Sequence, residues 1–138
     1  MEVDTIRQMV ISVDWTNQQE HINLLQASTK LVYEFLQFNF NPVIVIDTFS
    51  GDKINRFLAE LFKLDKELSI KIFGLFTSDD ELKKRLDTRR NGEFRDFAIC
   101  KKLNDDVLKF KRKSEYQLDT TGLSPTQAAV KILAQINS

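Results

Sequence analysis

The chain has 138 residues, 42% hydrophobic and 29% charged, which suits one compact domain with a core of its own and argues against a second. Four Gly and two Pro, widely spaced, exclude a low-complexity or linker-like chain, and no apolar run approaches the length of a membrane span. Basic and acidic residues balance at 20 each, which argues against a nucleic-acid binder held by net positive charge.

Met1 to Val10 carries Glu2, Asp4 and Arg7 among its apolar residues, so it has neither the basic end nor the apolar stretch of a secretory signal. A soluble, cytoplasmic protein is expected. Cys100 is the one cysteine, which excludes an internal disulfide and a thiolate zinc site, and it reads as a small core residue. The balanced total hides an asymmetry: Lys83 to Lys113 holds twelve Lys and Arg against five Asp and Glu. This basic, lid-like segment points to an anionic ligand nearby, although a solvated helical face would read the same way.

From Asn17 to Phe38 the residues Ile22, Leu25, Thr29, Val32 and Leu36 recur at three- and four-residue steps, the pattern of an amphipathic helix. Asn39-Phe40-Asn41-Pro42 stops it. The β-branched run Val43-Ile44-Val45-Ile46, ending on Asp47, predicts a strand buried on both faces, as in a parallel sheet covered by helices. Ser50 is placed to cap a helix with Ile54, Phe57, Leu58 and Leu61 as its core face.

A second buried strand is predicted over Ile70 to Phe76. Ser78 and Glu81 have the spacing of a capping box for the next helix, whose acidic start and basic end at Arg85, Arg89 and Arg90 suit the helix dipole. Asn91-Gly92 ends it, and Phe94 to Phe110 is a further helix, broken or bent near Asn104. A short strand over Tyr116 to Asp119 leads to Ser124-Pro125-Thr126-Gln127, which opens the last helix, to about Ile136. Strands alternating with helices predict an α/β fold, a three-layer parallel sheet with helices on both faces, over residues 1–138 as one domain. Ligands in such sheets sit beyond the carboxyl ends of the strands, at Asp47 to Ser50, Phe76 to Ser78 and Asp119 to Thr121.

Several segments, in order, resemble the small-molecule P-loop kinases, the family of gluconate, shikimate and adenylate kinases. They are Val3-Asp4-Thr5-Ile6-Arg7, Val43 to Asp47, Leu75-Phe76-Thr77-Ser78 with Glu81-Leu82 and Arg85-Leu86, and Leu118-Asp119-Thr120-Thr121 with Leu123-Ser124-Pro125. The resemblance covers nearly the whole chain. It implies that Asp4 and Arg7 bind substrate, that Asp47 supports magnesium or contacts substrate, and that Arg85 and Arg89 assist transfer. Arg85, Arg89, Arg90 and Arg95 would hold nucleotide phosphates, with Thr120 in the region that approaches the nucleotide base. ATP and Mg2+ are the implied cofactors, and a small hydroxyl or phosphate compound the acceptor. Arginine suits the role, because its planar fork binds phosphate oxygens in pairs and stays charged.

The sequence departs from this family at its defining motif. A P-loop needs Gly-x-x-x-x-Gly-Lys-Ser/Thr between a strand and a helix. The first glycine here is Gly51, and neither it nor Gly74, Gly92 or Gly122 precedes a lysine. The chain begins where the second strand of such a kinase would begin, so the resemblance implies a fold without its first strand and loop, inactive as it stands. A non-catalytic anion-binding or assembly module, which as a homo-oligomer would cover an open sheet, is the alternative reading. Asp4 and Arg7 could equally be an N-cap and a solvated arginine. His21, among Gln and Asn, reads as a surface histidine, Trp15 as a pocket or core residue, and the phenylalanines as core.

Overall fold

The computed structural model describes residues 1–9, 14, 16–109, 112 and 114–137. The described chain is α/β, with six helices and a two-stranded parallel sheet, and it divides into two compact units, Met1–Ser69 and Ile70–Ser138.

In the first unit, α1 spans Val3–Arg7, α2 Gln18–Gln37 and α3 Lys53–Leu64. The chain opens where the resemblance places a strand, but helix begins already at Val3, and Glu2 pairs as a parallel bridge to Ile46. Val3 N–H donates to the Ile46 carbonyl at 3.1 Å, and Ile46 N–H to the Met1 carbonyl at 2.8 Å. Val43 to Asp47 is thus an extended segment held by one bridge, not a strand buried on both faces. Ile44 and Ile46 are 59% and 61% exposed. A β-branched run buries both faces only where paired neighbours and helices cover it, and a single bridge supplies neither.

Helix α2 follows its predicted period. The Asn17 side chain caps it by accepting from Glu20 N–H, and His21, Leu25, Ser28, Thr29 and Val32 form its buried face. Ser28 and Thr29 donate their hydroxyls back to the Leu24 and Gln26 carbonyls, both at 2.7 Å, which satisfies them inside the core. Asn39, at φ 63°, supplies the left-handed residue on which helices commonly end. Helix α3 starts two residues later than Ser50 would place it, with Asp52 at the cap position, after a turn in which Gly51 has φ 61°. Phe57 and Leu61 are its buried positions, and the Phe49 ring packs 5.3 Å from that of Phe57.

The second unit holds β1, Ile72–Phe76, and β2, Glu115–Asp119, in parallel register from Ile72 opposite Glu115 to Phe76 opposite Asp119. Helices α4 (Asp79–Asp87), α5 (Phe97–Lys109) and α6 (Pro125–Ile136) complete it. The capping box of α6 is complete, with Pro125 in its first turn. That of α4 is half formed: Ser78 accepts from Glu81 N–H, while the Glu81 carboxylate pairs with Arg85 at 2.9 Å. Helix α5 is continuous where a break was expected near Asn104. That side chain reaches out of the helix, accepting from Thr77 N–H and donating to the Thr77 carbonyl, each at 2.9 Å.

Gly74 sets how closely α5 packs on β1. A Cβ there would lie 2.3 Å from Glu115 Oε1 and 2.8 Å from Val107 Cγ1, and Glu115 is buried, so neither neighbour yields cheaply. Gly74→Ala is expected to destabilise this unit by about 1–3 kcal/mol, read as faster amide exchange at 72–76 in the full chain. Unchanged protection would mean that the Glu115 side chain can swing aside freely.

Candidate functional site

Asp47, at the end of the extended segment, carries the most constrained carboxylate in the first unit. Its side chain is 2% exposed. His21, from the first turn of α2, brings Nε2 to 3.4 Å from Oδ1 and 3.2 Å from Oδ2. Only the contact to Oδ1 has hydrogen-bond geometry, which leaves Oδ2 buried without a donor. Asp4, exposed on α1, completes the group: one donor atom each from Asp4, His21 and Asp47 lie within 4.8 Å of one another.

Behind the imidazole, Lys53 Nζ lies 2.9 Å from His21 Nδ1 and donates to Gln18 Oε1 at 2.8 Å. An ammonium can only donate, so Nδ1 accepts and the ring proton sits on Nε2, facing Asp47. Burial pushes the Asp47 carboxyl up from its ordinary range, the attraction of His21 opposes that, and the negative charge of Asp4 adds to it. Loss of hydration pushes the Lys53 ammonium down, with the charge of Asp47 holding it back.

Asp4 and Asp47, to which the resemblance gave separate roles, are brought together from positions 43 residues apart. Arg7 is 4% exposed. Its Nε lies 3.3 Å from Glu20 Oε1 and its Nη2 donates to the Asp14 carbonyl at 2.5 Å, so it ties the start of α2 to α1. His21, expected on the surface, is 7% exposed. The signal lay in the helical period: four residues before Leu25, it falls on the buried face. Lys53 was not singled out by the sequence, since it carries no motif. Trp15 lies outside the described residues.

The remaining predicted residues belong to the second unit. Arg85 uses Nε on Glu81, Nη1 on Thr120 Oγ1 at 3.0 Å, and Nη2 on the carbonyls of Thr120 at 2.6 Å and Leu123 at 3.4 Å. Thr120 is buried and donates its hydroxyl to the Phe76 carbonyl at 2.9 Å. These two residues clamp the loop after β2 onto α4 and β1. Arg89, Arg90 and Arg95 are exposed; Arg89 Nη1 donates to the Phe94 carbonyl and Arg90 N–H to Glu93 Oε2 at 2.9 Å. Helix α4 ends at Asp87, so Arg89 and Arg90 lie beyond its last turn. Cys100 is half-buried.

No family model, curated protein or solved structure matches the chain. Among the described residues no helix is long and apolar enough to cross a membrane.

The groups implied by the kinase resemblance fit unequally. The sequence holds no glycine-lysine loop for the phosphates of ATP, and the Arg85 donors are committed internally. The Asp4 and Asp47 carboxylates suit a divalent cation such as Mg2+, whereas an imidazole beside them does not, because Mg2+ prefers oxygen ligands.

Burial that raises the Asp47 carboxyl above its unfolded value means that its charge opposes folding once pH exceeds both values. Asp47→Asn, a neutral isostere, is therefore expected to stabilise the chain by about 0.5–2 kcal/mol, measured as melting temperature with EDTA present. A fall of several degrees would show that the His21 pairing outweighs the cost of burial.

Proposed function

We propose that this chain is related to the small-molecule P-loop kinases and carries the acceptor side of a phosphotransferase site, binding its ligand without transferring phosphate in the sequence as it stands. In this reading the fold is the three-layer kinase fold without its phosphate loop, and the compartment is the cytoplasm. One observation carries it: Asp4 and Asp47, the two acids that the resemblance assigns to substrate and strand end, meet in one cluster. Asp4, at the exposed side, accepts hydrogen bonds from the hydroxyls of a small polar acceptor, while Asp47 behind it adds to the negative charge of the cluster.

Phosphoryl transfer depends on donors placed around the β and γ phosphates, and the Gly-Lys element that supplies them is absent from this sequence. The chain should give no ATP-dependent phosphotransfer to a panel of sugar acids, cyclic polyols and nucleosides. At least one panel member should raise its melting temperature, and Asp4→Asn should abolish that shift. Steady ATP turnover lost in Asp47→Ala would overturn the inactive reading, and a panel without any stabilising compound would overturn the acceptor site.

A second reading, a non-catalytic anion-binding module, draws on the exposed Arg89, Arg90 and Arg95 within the basic 83–113 segment. Inorganic phosphate is then expected to stabilise the chain by mass action, less so as chloride screens exposed charge over about 8–10 Å. Arg89→Ala with Arg90→Ala should remove most of that shift. An undiminished shift would place the anion elsewhere.

A further inference from the structure

Asp4, His21 and Asp47 offer two carboxylates and one imidazole nitrogen, from α1, the start of α2 and the end of the extended segment, within 4.8 Å of one another. Three such ligands around one ion at about 2.0–2.2 Å leave further positions for water. Asp4 is the exposed member of the group, so its side chain is the one with room to close on an ion. The independent observation is Asp47 Oδ2. The side chain is 2% exposed, this oxygen accepts no hydrogen bond, and it lies 3.2 Å from His21 Nε2. A buried carboxylate oxygen without a donor or cation costs several kcal/mol in general, so a ligand that supplies positive charge at that point is called for. Lys53 does not supply it, because its ammonium faces the far nitrogen of His21 and Gln18. The oxygen is closed to solvent, which favours a small ion over a hydroxyl-bearing molecule at that point.

We propose that Asp4, His21 and Asp47 form a binding site for a first-row divalent transition ion of the Mn2+, Co2+ or Zn2+ class, in preference to Mg2+. The mixed nitrogen and oxygen donor set makes the choice: imidazole suits these ions, while Mg2+ keeps to oxygen ligands and retains its waters. This differs from the magnesium that the kinase resemblance implies. It also stands apart from the acceptor reading, because it rests on the donor atoms alone. The ion takes His21 through Nε2, the nitrogen that faces Asp47. The ring proton then moves to Nδ1, which faces the Lys53 ammonium at 2.9 Å. Two donors cannot share that contact, so Lys53 turns wholly to Gln18 when the ion binds, and it is the residue that opposes binding. An acceptor in its place would hold the ring in the metal-binding tautomer, as outer partners of histidine ligands do.

The test uses the full chain, stripped with EDTA and titrated with CoCl2 and ZnCl2, followed by the visible absorption of Co2+ and by calorimetry. One ion per chain is expected, displaced by Zn2+ and not by an equal concentration of Mg2+. Asp47→Asn and His21→Gln should each weaken binding at least about tenfold. Asp4→Asn, on the surface and safe for folding, should weaken it similarly, and Lys53→Gln should tighten it. Absence of 1:1 binding in the wild type, affinity unchanged in Asp4→Asn, or displacement of Co2+ by equimolar Mg2+ would each overturn the proposal. Acceptor binding in the panel above is read without metal, so either idea can fail while the other holds.

Discussion

The burial of the Asp47 carboxylate is the constraint on which the first unit turns. A carboxylate stripped of water is tolerated only where other groups answer its charge. Here the answer comes from His21 at the start of α2 and, through the imidazole, from Lys53 in the first turn of α3. Asp47 itself is carried by the segment whose bridge at Ile46 leads into α1. Each of the unit's three helices thus sends a side chain toward one acid, with Asp4 adding repulsion from α1. These groups answer only part of the charge, since burial still raises the Asp47 carboxyl and one oxygen stays without a donor, and the ion site proposed above rests on that incompleteness.

The second unit meets the same problem and solves it to completion. At the carboxyl ends of β1 and β2, Thr77 and Ser78 bond to Thr121 at 3.2 Å and 2.8 Å. Asn104 closes on the Thr77 backbone, and Arg85 gathers Glu81, Thr120 and Leu123. Where polar groups find each other in this way, the network is rigid and has little left to offer a ligand. A phosphate at Arg85 would have to replace bonds to two carbonyls, a hydroxyl and a carboxylate, at a cost that exposed arginines do not pay. This is why the anion reading passes to Arg89, Arg90 and Arg95.

These contrasts bear on the kinase resemblance. Its acceptor-side acids lie in the unit with an open polar cluster, while its principal arginine is built into a closed one. Catalysis by phosphoryl transfer rests on positive charge placed around the moving group, and in this sequence that side is the weaker. Binding therefore stands ahead of turnover in the function proposed.

Much of this was legible in the residues. The period of α2, the capping box at Ser124 and Gln127 and the strands ending at Phe76 and Asp119 follow from local patterns, because side-chain periodicity and capping act over a few residues, whereas Asp4 and Asp47 were singled out by the kinase resemblance. The pairing state of Val43 to Asp47 did not follow. The run has the composition of a buried strand, but burial depends on neighbours that the run cannot specify, and one bridge leaves Ile44 and Ile46 exposed. The part played by His21 was half legible, in its position on the buried face of α2. That its imidazole stands between Asp47 and Lys53, 26 and 32 residues further along the chain, was decided only by the packing of α2 against α3 and the extended segment, since sequence patterns report periodicity and not which distant charges the fold brings within reach.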